Sequence, residues 1–360
     1  MGLIRFYLAM SVVFSHAGIA MHGVDGYVAV LLFFSISGFY MALVLNEKYK
    51  TDVSTFYLAR YLRLWPTYIV TFLIVTIFFR GLPEYRTIEI EIYTWFVSLT
   101  MFGYETLSWF GQNNNGPVWL SIAGGSVISG KAYGAIVSST LFGQMWSVSV
   151  EIVFYLIAPF VARHPRRLIA VLAVAYATHL LLLYSIPANN PLRRTSAIGF
   201  IWIFLAGMMA YWIWIFLRER MTFGKAPVFV VLPFALAWAV WCLVQTRLGL
   251  RYNENAPWAD AFILLFAVSI GPFFQMTRDI AWDRTVGEMS YGLYVAHFPI
   301  YLLFFRDDSG SWANALQLAG VSLIAAAALH FAVERNVDKF RRRLAARDSY
   351  SLVKMVTSRA

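Results

Sequence analysis

Long, nearly unbroken apolar runs dominate the chain, and most are long enough to form a helix that crosses a lipid bilayer. Short polar stretches separate them. Continuous runs predict transmembrane α-helices, because β-barrel strands would be shorter and would alternate apolar with polar residues. We therefore predict ten spans, near residues 3–21, 27–46, 63–80, 146–162, 168–186, 198–217, 228–246, 258–276, 289–305 and 313–333.

Composition supports the same fold class, an all-α polytopic membrane protein. The chain is 60% hydrophobic and 13% charged, which is far more apolar than a soluble domain of this size. The single cysteine, Cys242, excludes an intrachain disulfide, and no thiol cluster indicates a metal site. The first apolar run lacks a convincing cleavage site, so we interpret it as a retained span rather than a signal peptide.

The distribution of basic residues predicts the topology. Ten crossings with both termini in the cytoplasm place 21 of the 29 Lys and Arg residues on the inner side. Run 90–103 is too short for a confident span, and 104–145 is predicted to be a loop with a re-entrant or interfacial piece. The net charge of +10 therefore indicates contact with membrane lipids rather than nucleic acid. We predict one integral-membrane domain, 1–340, and a basic cytoplasmic tail, 341–360.

Two ionisable residues interrupt the first apolar run, Arg5 and His16, eleven positions apart. Eleven helical steps of about 100° turn a side chain by about 1100°, roughly 20° past three full turns. Both side chains therefore lie on one face of the predicted helix, about 16 Å apart along its axis. Arg5 would lie at one membrane interface and His16 within the hydrocarbon, where an ionisable group is costly and is a functional candidate.

Arg60 and Arg63 lie three positions apart at the start of the third predicted span. Helical residues at this spacing share a face, and guanidinium groups suit the geometry of phosphate oxygens. The same pair would also serve simply as a basic anchor at the inner edge of a span. A phosphate-rich cofactor held by arginines would be able to extend a thin arm along the first helix to His16, and coenzyme A has this shape.

Further polar residues in apolar surroundings are candidates for the same site. Glu151 follows Trp146 by five positions, and a carboxylate inside a membrane must pair, accept hydrogen bonds or take up a proton. It would orient His16 or pair with an arginine. His297 follows Tyr291 by six positions, and both would line the cavity or simply form an aromatic helix interface. His16 would act as a general base or form an ordinary hydrogen bond between helices.

Five segments, in order, resemble the motifs of one family, the integral-membrane acyltransferase 3 family, whose members O-acylate bacterial surface and extracellular carbohydrates. The R-x10-H pair of the first span opens the series. The others are Ser37-Gly38-Phe39, the R-x-x-R segment FYLARYLRLWPTY, the W-S-x-x-x-E segment MWSVSVEIVFYL and the S-Y-x-x-Y-x-x-H-x-P segment SYGLYVAHFPIY. The last span ends in FAVERNVDKF, where Asn336 replaces the proline that is usual in the family. The motifs cover nearly the whole of 1–340.

The resemblance implies transfer of an acyl group, most often acetyl, from cytoplasmic acyl-CoA to a sugar hydroxyl of a lipid-linked or polymeric glycan, such as O-antigen or exopolysaccharide. Arg5 and His16 would be the catalytic pair, with His16 as the general base or the carrier of the acyl group. Arg60 and Arg63 would bind the phosphates of acetyl-CoA or another acyl-CoA. The protein would be a multi-pass protein of the bacterial cytoplasmic (inner) membrane. Further site residues at motif positions would be Glu151, in the catalytic site, and His297, Tyr291 and Trp146, which would contact substrate.

Acceptor contact is expected in the loop 104–145, from Trp119 and Asn113, because Trp faces and amide groups are typical of sugar recognition; a plain interfacial loop would have the same composition. Two other classes of membrane protein are alternatives to this function. A transporter or flippase of lipid-linked saccharide would also bury Arg and His, but no two halves with corresponding broken helices are evident. A different class of membrane acyltransferases pairs a buried His with an upstream Asn or Asp, and the position of His16 near the N-terminus disfavours it.

Overall fold

The computed structural model is a bundle of helices with one short β-hairpin in the part of the chain that it describes. It describes residues 1–19, 21, 24–50, 52–79, 92–113, 116–120, 142–187, 190–220, 235, 238–239, 257–307, 310–341 and 343. The α-helices are α1 Gly2–His16, α2 Gly26–Glu47, α3 Val53–Phe79, α4 Ile92–Thr100, α5 Trp146–Val161, α6 Pro165–Ser185, α7 Pro191–Arg194, α8 Ala197–Arg220, α9 Pro257–Thr277, α10 Ala281–Phe304 and α11 Trp312–Leu329. Helix α11 continues as the π-helix His330–Glu334, two 3-10 helices span Tyr104–Trp109 and Gly143–Met145, and strand β1, Phe110–Asn113, pairs antiparallel with β2, Gly116–Leu120.

Seven helical segments of the described chain are long and apolar enough to cross a membrane, and the protein is therefore a multi-pass membrane protein. Helix α1 is apolar but has only 15 residues, and the first half of α10 carries Asp283, Arg284 and Glu288. The count of ten crossings and the cytoplasmic placement of both termini stay predictions. The seven segments are Gly26–Glu47, Val53–Phe79, Gly143–Val161, Pro165–Ser185, Pro191–Glu219, Ala259–Thr277 and Trp312–Arg341.

Nine of the ten predicted spans coincide with described helices, and 228–246 lies almost entirely outside the described residues. Three described helices differ in extent from the predicted spans. Helix α3 begins at Val53 rather than near 63, where the Asp52 carboxylate accepts the Thr55 backbone N–H at 3.0 Å and so caps the helix. Helix α10 begins at Ala281 rather than near 289. Helix α1 ends at His16 rather than near 21, and Gly18, with φ at 80°, takes the left-handed conformation that follows many helix ends.

Helix α2 lies at the centre of the bundle and packs against α8 at very short range. Its residues are apolar on all sides, as expected for a helix surrounded by other helices. A Cβ atom added at Gly38 would lie 1.9 Å from the Phe204 carbonyl oxygen, and one added at Gly207 would lie 1.9 Å from the Ser35 carbonyl oxygen. The two backbones can approach this closely only because both helices carry glycine at the crossing.

Helix α1 packs between α10 and α2, and this placement fixes its polar residues. Gly2 faces Gly287 of α10, where an added Cβ would lie 2.5 Å from the Gly2 Cα. The Asp283 carboxylate accepts hydrogen bonds from the backbone N–H groups of Gly2 and Leu3 at 2.7 and 2.8 Å. These bonds satisfy N–H groups that a helix start leaves unpaired. The start of α1 is therefore attached to α10, and Arg5 is directed towards the centre of the bundle.

Replacing Gly38 with alanine is expected to destabilise the protein, because the new methyl group would force α2 and α8 apart. Overpacking of this kind costs about 1–3 kcal/mol, and occasionally more. The matched control is Gly320→Ala in α11, where an added Cβ meets no atom within 4 Å. Thermal denaturation of the two variants in detergent, followed by size-exclusion chromatography, measures the difference. Equal melting temperatures for both variants would show that the α2–α8 crossing does not need glycine.

Candidate functional site

A cavity of about 420 Å³ lies between α1, α2, α3, α5, α9 and α10. Its wall includes Arg5 of α1 together with Arg60 and Arg63 of α3, so the fold brings together the three arginines that the sequence singled out. Because α3 begins at Val53, Arg60 and Arg63 lie inside the helix rather than before it. The Asp52 carboxylate caps the start of this helix. The cavity is thus the candidate site for an anionic ligand.

These three arginines face the cavity without a matching negative partner. Among the described residues, none of them has a carboxylate oxygen within 4.0 Å. Arg60 is only 8% exposed, its Nε atom has no hydrogen-bond partner in the described chain, and its guanidinium lies 5.9 Å from the Phe56 ring. A buried charge without a partner is costly, so an arrangement of this kind favours the binding of an anion.

Glu151 lies on the wall of the same cavity but binds hydroxyl groups of its own protein. Its Oε1 atom accepts hydrogen bonds from the Ser37 hydroxyl and from the Tyr155 hydroxyl, the latter at 2.6 Å. Glu151 therefore joins α2 to α5 at the cavity wall, and its described hydrogen-bond partners do not include His16 or an arginine. The sequence reasoning missed Tyr155, although a spacing of four residues from Glu151 places the two side chains on one helix face.

His16 is placed elsewhere, in contact with His297. The Nδ1 atom of His16 lies 3.3 Å from Nε2 of His297 and 3.0 Å from the Val12 carbonyl oxygen. His297 is fully buried, and its Nδ1 atom lies 2.7 Å from the Tyr294 carbonyl oxygen. Neither histidine lines the cavity, yet Tyr294 does, and it precedes His297 by about 4.5 Å of helix. The histidine pair thus lies about one helical turn from a residue of the cavity wall.

The remaining predicted site residues are divided between the cavity, the core and the hairpin. Tyr291 lines the cavity and donates a hydrogen bond to the Leu64 carbonyl oxygen at 2.9 Å. Trp146 packs its ring against Phe34 and Phe200 in the apolar core, at centroid distances of 6.4 and 5.7 Å, and does not line the cavity. Trp119 and Asn113 lie on opposite strands of the hairpin, paired with Gly111 and Gly116 respectively, and their side chains lie outside the described structure.

Other polar groups of the cavity wall were not found from the sequence. Arg278, Asp283, Arg284 and Glu288 line it from the turn between α9 and α10 and from the first half of α10. They fall before the predicted start of that span, so a search for apolar runs assigned them to a loop. The signal in the sequence was that these four charged residues directly precede the segment SYGLYVAHFPIY, which carries candidate site residues.

Comparison with known proteins gives one family and one curated relative. Residues 1–332 match the acyltransferase 3 family, which is described as an acyltransferase domain. A curated protein called Nodulation protein 10, from Rhizobium leguminosarum bv. viciae, is 25% identical over 376 residues, covering 96% of this chain and 94% of that protein. No solved structure matches the chain.

Proposed function

Because the chain belongs to the acyltransferase 3 family and is a membrane acyltransferase, we propose that it moves an acyl group, acetyl in the first instance, from cytoplasmic acyl-CoA to a sugar hydroxyl of a surface or extracellular glycan. One observation carries the choice of donor: three arginines without ion-pair partners in the described chain face one cavity. Phosphate is the anion that such guanidinium groups bind best, with two parallel hydrogen bonds to each group.

The lining of the cavity suits a donor with a charged head and an apolar arm. Arg5, Arg60 and Arg63 would bind the phosphates, and the apolar wall of Val30, Phe33 and other α2 residues would surround the pantetheine arm. The cavity reaches Tyr294, close to the histidine pair. An arm that follows α1 from Arg5 to His16 covers about 16 Å. The thioester would thus reach His16 while the phosphates stay at the arginines.

The proposed reaction is a direct acyl transfer. The acceptor hydroxyl oxygen forms a bond to the thioester carbonyl carbon, and the carbon–sulfur bond breaks. His16 accepts the hydroxyl proton as general base and then protonates the departing thiolate, so that free coenzyme A and an acylated sugar are formed. His16 is the last residue of α1, and the negative end of a helix dipole stabilises a positive charge on that ring while it holds the proton.

Inverted membrane vesicles test this proposal directly. Vesicles that contain the protein and its host glycans are supplied with acyl-CoA labelled in the acyl group, and label is followed into lipid-linked or polymeric glycan. Matched vesicles without the protein, and right-side-out vesicles with it, serve as controls. We expect label in glycan only from inverted vesicles that contain the protein. Failure with acetyl, succinyl and longer acyl donors, despite folded protein and glycan in the vesicles, would contradict the proposed donor.

A further inference from the structure

His297 has no assigned role in the reaction above, although it is the most thoroughly buried histidine of the described chain. It is 0% exposed, lies in the second half of α10 and does not line the cavity that Arg5, Arg60 and Arg63 face. Its ring is 5.1 Å from that of His16, centroid to centroid. An ionisable group buried in a membrane helix is a functional candidate, and His297 in addition contacts the candidate base His16.

Each of the two rings contacts a backbone carbonyl oxygen, and these contacts determine which nitrogen of each ring carries a proton. A carbonyl oxygen has no proton to give, so Nδ1 of His297 donates to Tyr294 and Nδ1 of His16 donates to Val12. In a neutral ring the other nitrogen then carries a lone pair. Nε2 of His297 therefore accepts a second, shared hydrogen bond from Nδ1 of His16, at 3.3 Å. A proton on Nε2 of His297 would instead point directly at the His16 N–H.

The remaining nitrogen, Nε2 of His16, is then left with its lone pair unused. In the described chain it makes no hydrogen bond, and His16 is only partly buried. Phe298 contacts the edge of the His16 ring, with centroids 4.8 Å apart, and Tyr301 lies 6.1 Å away. One face of α10 therefore holds the ring in place.

We propose that His297 is a positioning residue, whose Nε2 lone pair acts together with the Val12 carbonyl to hold His16 in the tautomer that presents its own Nε2 as the base. The inference rests on the proposed role of His16 in acyl transfer. When His16 accepts the hydroxyl proton, its Nδ1–H keeps two acceptors, the Val12 carbonyl and His297. His297 itself neither gains nor loses a proton, which suits a group without access to water.

Two substitutions at one position separate hydrogen bonding from packing. In His297→Leu the acceptor is lost, whereas in His297→Gln a side-chain carbonyl can accept the His16 N–H. We expect leucine to lower kcat about 10–100-fold with little change in the KM for acyl-CoA, as is usual for residues that orient a reacting group. Glutamine should restore most of that loss. His164→Leu, at an exposed position before α6, is the matched control for the loss of a histidine.

A second measurement needs no turnover. Nitrogen-15 spectra of the protein with labelled histidine distinguish protonated from bare ring nitrogens, and comparison with His16→Gln identifies the His16 signals. We expect Nδ1 to be protonated in the wild type and in His297→Gln, and the fraction with Nε2 protonated to rise in His297→Leu, where the Val12 carbonyl is the remaining acceptor. A wild-type His16 with Nε2 protonated would overturn the inference, as would an unchanged kcat in folded His297→Leu, a loss confined to KM, or equal losses with leucine and glutamine. An inactive wild type would count against the proposed function alone, since the spectra still decide the tautomer.

Discussion

Replacing His16 with alanine is expected to lower kcat for acyl transfer by about 10²–10⁴-fold, the usual contribution of a positioned general base. The physical reason is that its Nε2 atom is the unoccupied nitrogen of the histidine pair in the described chain, and the pair contacts Tyr294 of the cavity wall through His297. Binding of acyl-CoA should be nearly unchanged, because the phosphates would contact arginines about 16 Å away along α1. The measurement is acyl transfer to glycan in inverted vesicles, together with the affinity of the purified protein for coenzyme A.

The control for this prediction is His164→Ala, which removes an exposed histidine outside the cavity. Equal yield and elution volume of both variants would exclude misfolding as the cause of a difference. Activity of His16→Ala within tenfold of the wild type would remove His16 from the chemistry. The alternative from the sequence, an ordinary hydrogen bond between helices, would then be the better interpretation, because His16 also contacts Val12 and His297 in that case.

The sequence predicted well what depends on one helix alone. Arg5 and His16 lie on one helix, α1, as the first apolar run predicted, and their placement on one face of it stays a prediction, since Arg5 lines the cavity and His16 contacts His297. Arg60 and Arg63 lie together on α3, and both line the cavity. The helical character of the apolar runs was likewise predictable, because continuous apolar runs in lipid satisfy their backbone hydrogen bonds only as helices.

What the sequence could not predict depends on contacts between distant segments. His16 meets His297 across 281 positions, at the end of α1 opposite to the close crossing of Gly2 and Gly287. Nothing local in either segment specifies that contact. Glu151 was expected to orient His16 or to pair with an arginine, whereas Ser37 and Tyr155 are its described partners.

Two of the three differences in helix extent share one cause. A search for apolar runs ends where charged residues begin, yet the early parts of α3 and α10 carry Arg60, Asp283 and Glu288, which line the cavity. Their charges belong to the candidate site rather than to a loop. These two differences therefore lie at the helix starts that help to form the candidate site.

Replacing Arg60 or Arg63 with alanine is expected to raise the KM for acyl-CoA about 10–100-fold, with a smaller change in kcat. Hydrogen bonds that involve a charged group contribute about 1.5–3 kcal/mol each, and each guanidinium would lose its bonds to phosphate. Lysine should recover only part of the loss, because it keeps the charge but not the planar fork. Arg167→Ala, at an exposed position at the start of α6, is the matched control for the loss of a basic residue.

A donor without phosphates separates ligand binding from anchoring of the helix in the membrane. Acyl-pantetheine carries the same thioester but lacks the groups that the arginines would contact. If Arg60 and Arg63 bind phosphate, each alanine variant loses kcat/KM for acyl-CoA while its kcat/KM for acyl-pantetheine stays near the wild-type value. If they only anchor α3, both donors should be affected by the same factor.

Thermal denaturation without donor provides an independent check on the same arginines. Arg60 is buried at the cavity without a carboxylate within 4.0 Å among the described residues, and Arg5 and Arg63 lie on the same wall, so removal of its charge relieves repulsion and the cost of burying it. The melting temperature of ligand-free Arg60→Ala should therefore be equal to or above that of the wild type. Added coenzyme A should raise the melting temperature of the wild type more than that of the variant, because a ligand stabilises only the state that binds it. A lower melting temperature without ligand and an equal rise with coenzyme A would instead identify Arg60 as a structural residue of α3.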